Sequence, residues 1–424
     1  MLEVRNVNVW VNSHHILKEV SFNVDDGNVV LLVGPSGSGK STLLKTLSGV
    51  IPSVIKGVVK GFSNPSLEIL KRKTMYVHQE PWFFVSTPYV WSEVTGYTPI
   101  MSLGSLKEVL EEFKLSQHVF RTTYTLSAGE IQRLAFVIAV NSGKEIILLD
   151  EPTSYLDRRN SETLVRFVNK VSKDYGKTFI VVDHDLTLWG EHASKVLYLC
   201  DGRLTETSRN PFDEIIDYMT RKLSPPESRS SECMRIRVNS FKFPDSKEPL
   251  LTDVSFDVCR GEVVVVKGSS GSGKTTLLKL IASECLRNNE KIINTAGKKC
   301  KAVLVPDNPL LYLSSPTPVD EVSVSGLKYL EYLGIGNKAE TPIMRLSSGE
   351  RRRLAIASAL SGGYEYVLMD EPTAGLDPLN KLHVIEAIIK ATEFGAGFVI
   401  ASHDSFVEKI ANKVVCIERS QKNY

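Results

Sequence analysis

Two glycine-rich segments carry residues at the spacing needed to hold a chain of phosphate groups. The pattern Gly-x-x-x-x-Gly-Lys-Ser/Thr occurs at Gly34–Ser41 and again at Gly268–Thr275. Glycines let backbone N–H groups turn inward around an anion, the lysine reaches the outer phosphates, and the hydroxyl can bind Mg²⁺. Each segment lies between an apolar, β-branched run and an apolar helical pattern, which is the context that this chemistry needs. The residues predicted to bind nucleotide here are Gly34, Pro35, Ser36, Gly37, Ser38, Gly39, Lys40, Ser41, Thr42, Gly268, Ser269, Ser270, Gly271, Ser272, Gly273, Lys274, Thr275 and Thr276.

Two acidic pairs end apolar runs further along the chain, in the segments Ile146–Pro152 and Tyr366–Pro372. An acid at the carboxyl end of a strand, beside a phosphate loop, can hold the Mg²⁺ shell. The acid that follows it points elsewhere and can act as general base on an attacking water. Alone, Asp-Glu-Pro fits helix-capping acids equally well, so the prediction depends on its register with the phosphate loops. The predicted metal ligands are Asp150 and Asp370 with Ser41 and Thr275, and the predicted general bases are Glu151 and Glu371.

A serine and a glycine twice open an apolar helical pattern, at Leu126–Glu130 and at Leu346–Glu350. A hydroxyl and free N–H groups at a helix N-terminus can face an anion. Alone, the same residues fit an ordinary helix cap with the features of a capping box. The candidates for anion contact are Ser127, Gly129, Ser347 and Gly349.

The elements that must position these residues form a duplicated domain. Leu17–Val24 and Leu251–Val258 are nearly the same sequence, and the motifs follow both in the same order, which indicates domain duplication. Apolar runs that alternate with helical patterns predict an α/β fold with a mostly parallel sheet. The segment Ser224–Cys233 is rich in proline and serine and predicts a linker. The expected domains are therefore residues 1–223 and 234–424, joined by residues 224–233.

Together these motifs resemble those of the ATP-binding-cassette (ABC) superfamily, and the resemblance covers essentially the whole chain. The two serine–glycine segments are similar to the family signature, and two later pairs of segments are similar to its dimer-contacting loop and its switch histidine. These pairs are Ser154–Asp157 with Ala374–Asp377, and Val181–Asp185 with Ile400–Asp404. The resemblance implies two P-loop NTPase domains, each with a parallel core sheet, an N-terminal antiparallel β region and a small helical subdomain. It also implies that His184 and His403 contact the γ-phosphate of ATP.

The resemblance further implies that the two halves pair head to tail, so that each ATP lies between one half's phosphate loop and the other half's signature. The first site would combine Lys40, Gln79, Glu151 and His184 with Ser347 and Gly349. The second site would combine Lys274, Asp307, Glu371 and His403 with Ser127 and Gly129. An aromatic residue near the start of each half would stack on adenine. Trp10 and Phe243 lie near that position, although strict alignment of the first half points to Val11.

The second half departs from the family pattern at one catalytic position. The family carries a glutamine that reaches Mg²⁺ and the attacking water, which is Gln79 in the first half and is replaced by Asp307 in the second. Aspartate can still bind Mg²⁺, but its negative charge repels the γ-phosphate. This difference predicts faster hydrolysis at the first site, with two equivalent sites as the alternative.

Composition places the chain among ordinary globular proteins. The hydrophobic fraction is 42% and the net charge of +2 is too small to indicate a nucleic-acid partner. No apolar run approaches the length of a membrane helix and no signal-peptide pattern opens the sequence, so we expect a cytoplasmic protein. Six scattered cysteines without a Cys-x-x-Cys pair are expected to be reduced and buried. The basic run Arg351–Arg353 is expected to form a solvated helix face.

The function that the resemblance implies is ATP hydrolysis that drives another process. The compact fused pair is similar to the ATPase of energy-coupling-factor (ECF) importers for vitamins and metal ions, which lies on the inner face of the cell membrane against integral membrane subunits. Ser314–Gly326 adds to that similarity, whereas a further glutamine of that group is missing. The alternatives are another importer of the superfamily, a tandem ATPase acting on ribosomes or DNA, and a scaffold without enzymatic activity.

Overall fold

The computed structural model describes residues 1–96, 103–227, 230–244, 248–287, 293–294, 300–322 and 324–418. The chain divides into two compact units, Met1–Pro211 and Phe212–Tyr424. Each unit contains one copy of the duplicated sequence.

The first unit begins with β structure and then alternates strands with helices. Its strands are β1 (Leu2–Val11), β2 (His14–Val24), β3 (Val29–Val33), β4 (Gly57–Asn64), β5 (Thr74–Val77), β6 (Ile146–Asp150), β7 (Thr178–Val182), β8 (Lys195–Cys200) and β9 (Arg203–Glu206). Its helices are α1 (Lys40–Leu47), α2 (Val50–Ser53), α3 (Leu67–Lys73), α4 (Val90–Gly96), α5 (Leu103–Glu112), α6 (Ala128–Asn141), α7 (Arg158–Tyr175) and α8 (Leu186–Trp189).

The second unit has a similar order, with one helix added at its start and with no counterpart of α2, α3 or β9 among the described residues. Its strands are β10 (Cys233–Phe241), β11 (Leu251–Cys259), β12 (Val263–Lys267), β13 (Ile293–Asn294), β14 (Ala302–Val305), β15 (Tyr366–Asp370), β16 (Gly397–Ala401) and β17 (Lys413–Cys416). Its helices are α9 (Asp213–Lys222), α10 (Lys274–Arg287), α11 (Pro318–Glu321), α12 (Leu327–Tyr332), α13 (Ser348–Ser361), α14 (Pro378–Glu393) and α15 (Ser405–Lys409).

Each unit has two sheets, as the predicted fold class requires. A three-stranded antiparallel sheet has the order β2-β1-β4 in the first unit and β11-β10-β13 in the second. The larger sheets have the orders β5-β6-β7-β3-β8-β9 and β14-β15-β16-β12-β17, and all their neighbours are parallel except β8 and β9. The prediction of an α/β fold with parallel core sheets and antiparallel N-terminal regions is confirmed.

The central strands are buried on both faces, which explains their continuous apolar sequences. Alternate residues of β3 pack into two different cores, with Val29, Leu31 and Val33 on one face and Val30 and Leu32 on the other. The strand β12 divides its valines between two cores of the second unit in the same way. In each unit, the loops that carry the motifs follow the strands of this large, buried sheet.

The boundary between the units lies before the predicted linker. Helix α9 belongs to the second unit, because Met219 is fully buried in that unit's core and Ile215 and Leu223 pack against it. The Lys409 ammonium also donates a hydrogen bond to the Thr220 carbonyl at 3.1 Å. The proline-rich segment that follows α9 thus lies within the second unit, and sequence composition alone gave no sign of the tertiary packing that places α9 there.

Two expectations about side chains were wrong. Disulfide bonds join Cys233 to Cys259, on paired strands, and Cys285 to Cys300, whereas Cys200 and Cys416 are free. The three arginines at Arg351–Arg353 are buried rather than solvated, with their guanidinium groups bonded to backbone carbonyls. In the part of the chain that the structure describes, no helix is long and apolar enough to cross a bilayer.

Candidate functional site

The predicted motifs of each unit come together at one edge of its large sheet. In the first unit, the phosphate loop, the acidic pair, the histidine and Gln79 follow β3, β6, β7 and β5, which are neighbouring parallel strands. The carboxyl ends of parallel strands meet at one edge, where α/β proteins bind ligands. The second unit uses β12, β15, β16 and β14 in the same way.

The first phosphate loop has the backbone that its glycines predicted. Gly37 and Gly39 have φ angles of 80° and 107°, which L-residues rarely adopt. A Cβ atom on Gly34 would lie 2.0 Å from the Leu199 carbonyl oxygen, so the loop could not pack there with a larger residue. The Lys40 ammonium folds back onto the loop and donates hydrogen bonds to the carbonyls of Gly34 and Pro35 at 2.7 and 2.9 Å. The loop thus curves around the positively charged ammonium group of Lys40.

Two hydroxyl groups hold the predicted metal ligand Asp150. The Ser41 hydroxyl donates to one carboxylate oxygen at 3.2 Å, and the Tyr76 hydroxyl donates to the other at 2.8 Å. Burial and the neighbouring Glu151 raise the pKa of Asp150, and the two hydroxyl groups oppose that rise. Carboxylate and hydroxyl oxygens are ligands that Mg²⁺ prefers, so the pair Ser41–Asp150 fits the ion. Sequence analysis missed Tyr76, although it lies three residues before Gln79.

Three polar side chains contact the Glu151 carboxylate, and two of them belong to the site that the family resemblance implies. The Gln79 amide donates to it at 2.8 Å, the His184 ring nitrogen Nε2 lies 3.3 Å away, and the Ser154 hydroxyl donates at 3.1 Å. Glu151 itself has a φ angle of 49°, so the backbone turns sharply between the two acids and aims them differently. The prediction that Glu151, Gln79 and His184 act together is therefore consistent with their geometry.

A buried aspartate fixes the position of His184. The Asp183 carboxylate accepts hydrogen bonds from the Thr153 hydroxyl at 2.6 Å, the Trp189 indole at 3.0 Å and the His184 backbone N–H at 2.7 Å. These three bonds tie the end of β7 to the loop after β6 and to α8. The hydrogen bonds of Asp183 thus hold the backbone of His184 in place, in addition to any contact of the histidine ring.

The second unit repeats the phosphate loop and metal pair. The Lys274 ammonium donates to the Gly268 carbonyl at 2.8 Å, and it also lies 2.9 Å from Nε2 of His403. The Thr275 hydroxyl donates to an Asp370 carboxylate oxygen at 2.6 Å. These oxygens fit Mg²⁺ as their counterparts in the first unit do.

The carboxylates of the second unit lie in a different electrostatic setting. Burial and the charge of Asp307 raise the pKa of Asp370 to about 6. Burial also raises the pKa of Glu371 to about 8; Lys274 and Arg352 oppose the rise and Asp370 adds to it. The Asp307 carboxylate accepts a hydrogen bond from the Asn308 N–H at 2.9 Å, whereas Gln79 donates to Glu151, the predicted general base of its own unit. The two units therefore differ in their hydrogen bonds at the position that the sequence identified.

Arg352 is a further residue of the second site that sequence analysis missed. Its guanidinium donates to the Glu371 carbonyl at 2.7 Å and to the Asp307 carbonyl at 3.0 Å. It lies five residues after Ser347, and Gln132 occupies the same position after Ser127. Gln132 is buried, and its amide atoms have no hydrogen-bond partner among the described residues.

Both signature serines cap their helices in the manner of a capping box. Ser127 and Ser347 accept hydrogen bonds from the backbone N–H groups of Glu130 and Glu350, and each glutamate accepts one in return. Both serines are exposed. In the first unit, burial would raise the pKa of Glu130, but hydrogen bonds from His118 and Ser127 lower it to about 2. An exposed serine thus lies at the N-terminus of α6 and of α13.

The two aromatic candidates for adenine stacking occupy different surroundings. The Trp10 ring is stacked on His15, with centroids 4.3 Å apart and planes within 12°, and Lys60 lies over it. Phe243 is exposed and packs edge-on against Phe241 at 5.2 Å. Their contact with adenine stays a prediction.

Both units of the chain are similar in sequence to known proteins. The family model for ABC transporters matches residues 17–154 and 251–374, one stretch in each unit. A protein of Treponema denticola named "Putative ABC transporter ATP-binding protein" is 24% identical over 468 residues, which cover 98% of this chain and 95% of that protein. "Putative HMP/thiamine import ATP-binding protein YkoD" of Bacillus subtilis is 24% identical over 474 residues, or 95% and 86% of the two chains.

Solved structures of tandem proteins share the fold. A model of ribosome-bound archaeal Pelota and ABCE1 matches with a TM-score of 0.72 and 22% identity over 96% of this chain and 76% of that one. The archaeal ribosome recycling factor aABCE1, in complex with stalk protein aP1, matches with a TM-score of 0.64 and 22% identity over 96% and 87%. At this identity the likeness shows the fold alone.

Proposed function

Because the chain belongs to the ABC transporter family and is an ATPase, we propose that it energises an importer of the ECF type for a vitamin or a metal ion. The observation that supports its ATPase part is that the phosphate loop, the acidic pair and the histidine of each unit lie at the edge of its large sheet, with Gln79 in the first unit and Asp307 in the second. The name of the Bacillus subtilis relative supports import of a vitamin or its precursor. The protein would then lie on the cytoplasmic face of the membrane, bound to integral membrane subunits.

Hydrolysis in the first unit would begin with capture of the ATP phosphates by the Gly34–Thr42 loop and Lys40. Ser41 and Asp150 would hold Mg²⁺, with Gln79 near it, and the ion would neutralise charge on the phosphate oxygens. Glu151 would accept a proton from the attacking water, while Gln79 and His184, which contact its carboxylate, would fix its orientation.

The second unit has a corresponding set of residues with one substitution. The Gly268–Thr276 loop and Lys274 would bind the phosphates, and Thr275 and Asp370 would hold Mg²⁺, with Asp307 near it. Glu371 would accept the proton beside His403. Since burial raises the pKa of Glu371 and Asp307 adds charge nearby, we expect slower turnover there.

We further propose that each ATP is completed by the signature of the opposite unit. The capped ends of α6 and α13 support this, because each presents an exposed serine and N–H groups that can bind a phosphate anion. Ser347 and Gly349 would face the nucleotide of Lys40, and Ser127 and Gly129 that of Lys274. Binding would draw the units together and hydrolysis would release them, as a ligand-driven two-state switch.

An exposed aromatic surface in the first unit supports a membrane partner. We call it the aromatic surface; it comprises Phe83, Tyr89, Trp91, Phe120 and Tyr124, all exposed. Its two loops are paired, because the Trp91 N–H donates to the Val119 carbonyl and Tyr89 bridges Thr122. Large exposed aromatic residues are typical of protein interfaces. In the family that this chain resembles, the same region docks the membrane subunit.

Purification from membranes tests the proposal. The tagged chain is expected to copurify in mild detergent with small hydrophobic proteins, and Phe120→Ser with Tyr124→Ser should release them while ATP hydrolysis remains. Arg166→Ser, on an exposed helix face remote in sequence from that surface, is the control. Recovery with ribosomes and without membrane proteins would contradict the proposal and favour the ribosome-associated alternative. Absence of phosphate release with any partner would contradict its catalytic part.

A further inference from the structure

Two residues of the second unit differ from their counterparts in the first by opposite charges. Gln79 corresponds to Asp307, each lying two residues after its strand, and Gln132 corresponds to Arg352. Asp307 adds a negative charge to the second unit, and Arg352 adds a positive charge to it. The two differences together leave the charge of the site unchanged.

The two changed residues are in direct contact. Arg352 is only 3% exposed, and its guanidinium spans the carbonyls of Asp307 and Glu371 at 3.0 and 2.7 Å. A guanidinium is planar and offers several fixed donors, so it can bridge two acceptors that a shorter amide cannot reach. In the first unit, the amide of Gln132 has no hydrogen-bond partner among the described residues.

We propose that Arg352 is a positioning residue of the second site that allows Asp307 to serve there. It bridges the loop after β14 to the end of β15, and so fixes the distance between Asp307 and the general base Glu371. Its buried positive charge, bonded to the backbone carbonyls of both acids, offsets the carboxylate that replaces a neutral amide. The first site has a neutral glutamine and a direct Gln79–Glu151 hydrogen bond, and therefore needs no such bridge.

The inference rests on the proposed role of Glu371 and is tested by a double-mutant cycle. The background is Glu151→Gln, in which residual phosphate release reports the second site. With Asp307 present, Arg352→Gln is expected to lower kcat about tenfold with little change in KM for ATP. With Asp307→Gln, the same change is expected to cost less than about threefold, because the charge it offsets is gone. The four combinations of Arg352 or Arg352→Gln with Asp307 or Asp307→Gln are also compared with Glu151 intact. The ratio of the two losses in kcat is then obtained even if hydrolysis at the two sites is coupled.

Controls separate positioning from folding. Arg351→Gln removes a neighbouring buried arginine of α13 whose guanidinium donates to the Leu346 carbonyl. Any loss of kcat from Arg351→Gln should be the same with Asp307 as with Asp307→Gln. Arg352→Lys keeps the charge without the two-pronged bridge and is expected to recover part of the loss.

Two different outcomes would overturn two different statements. Equal losses from Arg352→Gln with and without Asp307→Gln, or failure of Arg352→Lys to improve on glutamine, would refute the inference. If Glu151→Gln with Glu371→Gln still released phosphate at the rate of Glu151→Gln alone, the assignment of Glu371 as general base would fail instead.

Discussion

At the scale of single residues, three polar side chains contact the proposed general base of the first unit, whereas burial raises the pKa of its counterpart Glu371 to about 8. Gln79, Ser154 and His184 all contact the Glu151 carboxylate. In the second unit, the negative charge of Asp307 raises the pKa of Asp370, after burial, to about 6. Hydrogen-bond donors fix the orientation of a base, and a raised pKa favours the protonated form, which cannot accept a proton.

The first prediction compares the two general bases. Glu151→Gln should lower phosphate release about tenfold or more, and Glu371→Gln should lower it only by about a tenth, because the first site carries most of the turnover. Steady-state phosphate release at saturating ATP and Mg²⁺ measures both. Equal losses from the two substitutions would show equivalent sites.

The second prediction concerns Tyr76, which donates to the metal ligand Asp150. In a Glu371→Gln background, Tyr76→Phe should lower kcat about threefold to tenfold and raise the Mg²⁺ concentration needed for half-maximal rate, because a buried carboxylate loses one hydrogen bond. The second unit carries Leu304 at this place. Tyr76→Phe in a Glu151→Gln background is therefore the control, and an equal loss there would contradict the local role.

At the scale of elements, sequence patterns predicted the strands and loops that carry motifs, because those patterns follow directly from burial and backbone chemistry. The valines of β12 require two apolar faces, and the phosphate loop requires glycines. The positions of α9 and Arg352 were not predictable in this way. Both depend on which tertiary surface covers a helix, and neither the proline-rich segment nor the run of arginines encodes that locally.

The third prediction concerns the start of α6, where His118 and Ser127 lower the pKa of Glu130 to about 2 against the effect of burial. A carboxylate whose folded pKa lies below its unfolded value stabilises the fold above the unfolded pKa, and loses that contribution as pH falls through the folded one. From about pH 5 towards pH 2, unfolding free energy should therefore fall by up to roughly 3 kcal/mol from this group.

Tryptophan fluorescence measures this in the first unit alone, since Trp10, Trp82, Trp91 and Trp189 are the only tryptophans of the chain. Urea unfolding followed by fluorescence should show a shallower acid dependence for Glu130→Gln. Glu350→Gln makes the matched change in the second unit and should leave the tryptophan transition unchanged. An identical acid dependence for Glu130→Gln and the unaltered chain would refute the linkage.

At the scale of the whole molecule, the duplicated sequence matters because each unit carries half of what each proposed site needs. Each unit has a phosphate loop at the edge of its large sheet. It also has an exposed serine that caps the N-terminus of α6 or α13. If the sites are composite, a change in one signature should affect hydrolysis at the other unit's base. If they are not, the effect should stay within the same unit.

The fourth prediction uses aspartate to separate these cases. Aspartate caps a helix about as well as serine does, so Ser127→Asp and Ser347→Asp keep the cap while they place a negative charge where a phosphate would bind. In a Glu371→Gln background, where Glu151 supplies the turnover, Ser347→Asp should lower phosphate release about tenfold or more, and Ser127→Asp should have little effect. In a Glu151→Gln background the order should reverse. Because the two substitutions are chemically the same and both units keep their folds, a loss that followed Ser127→Asp in the first background would assign each signature to its own unit and exclude head-to-tail sites.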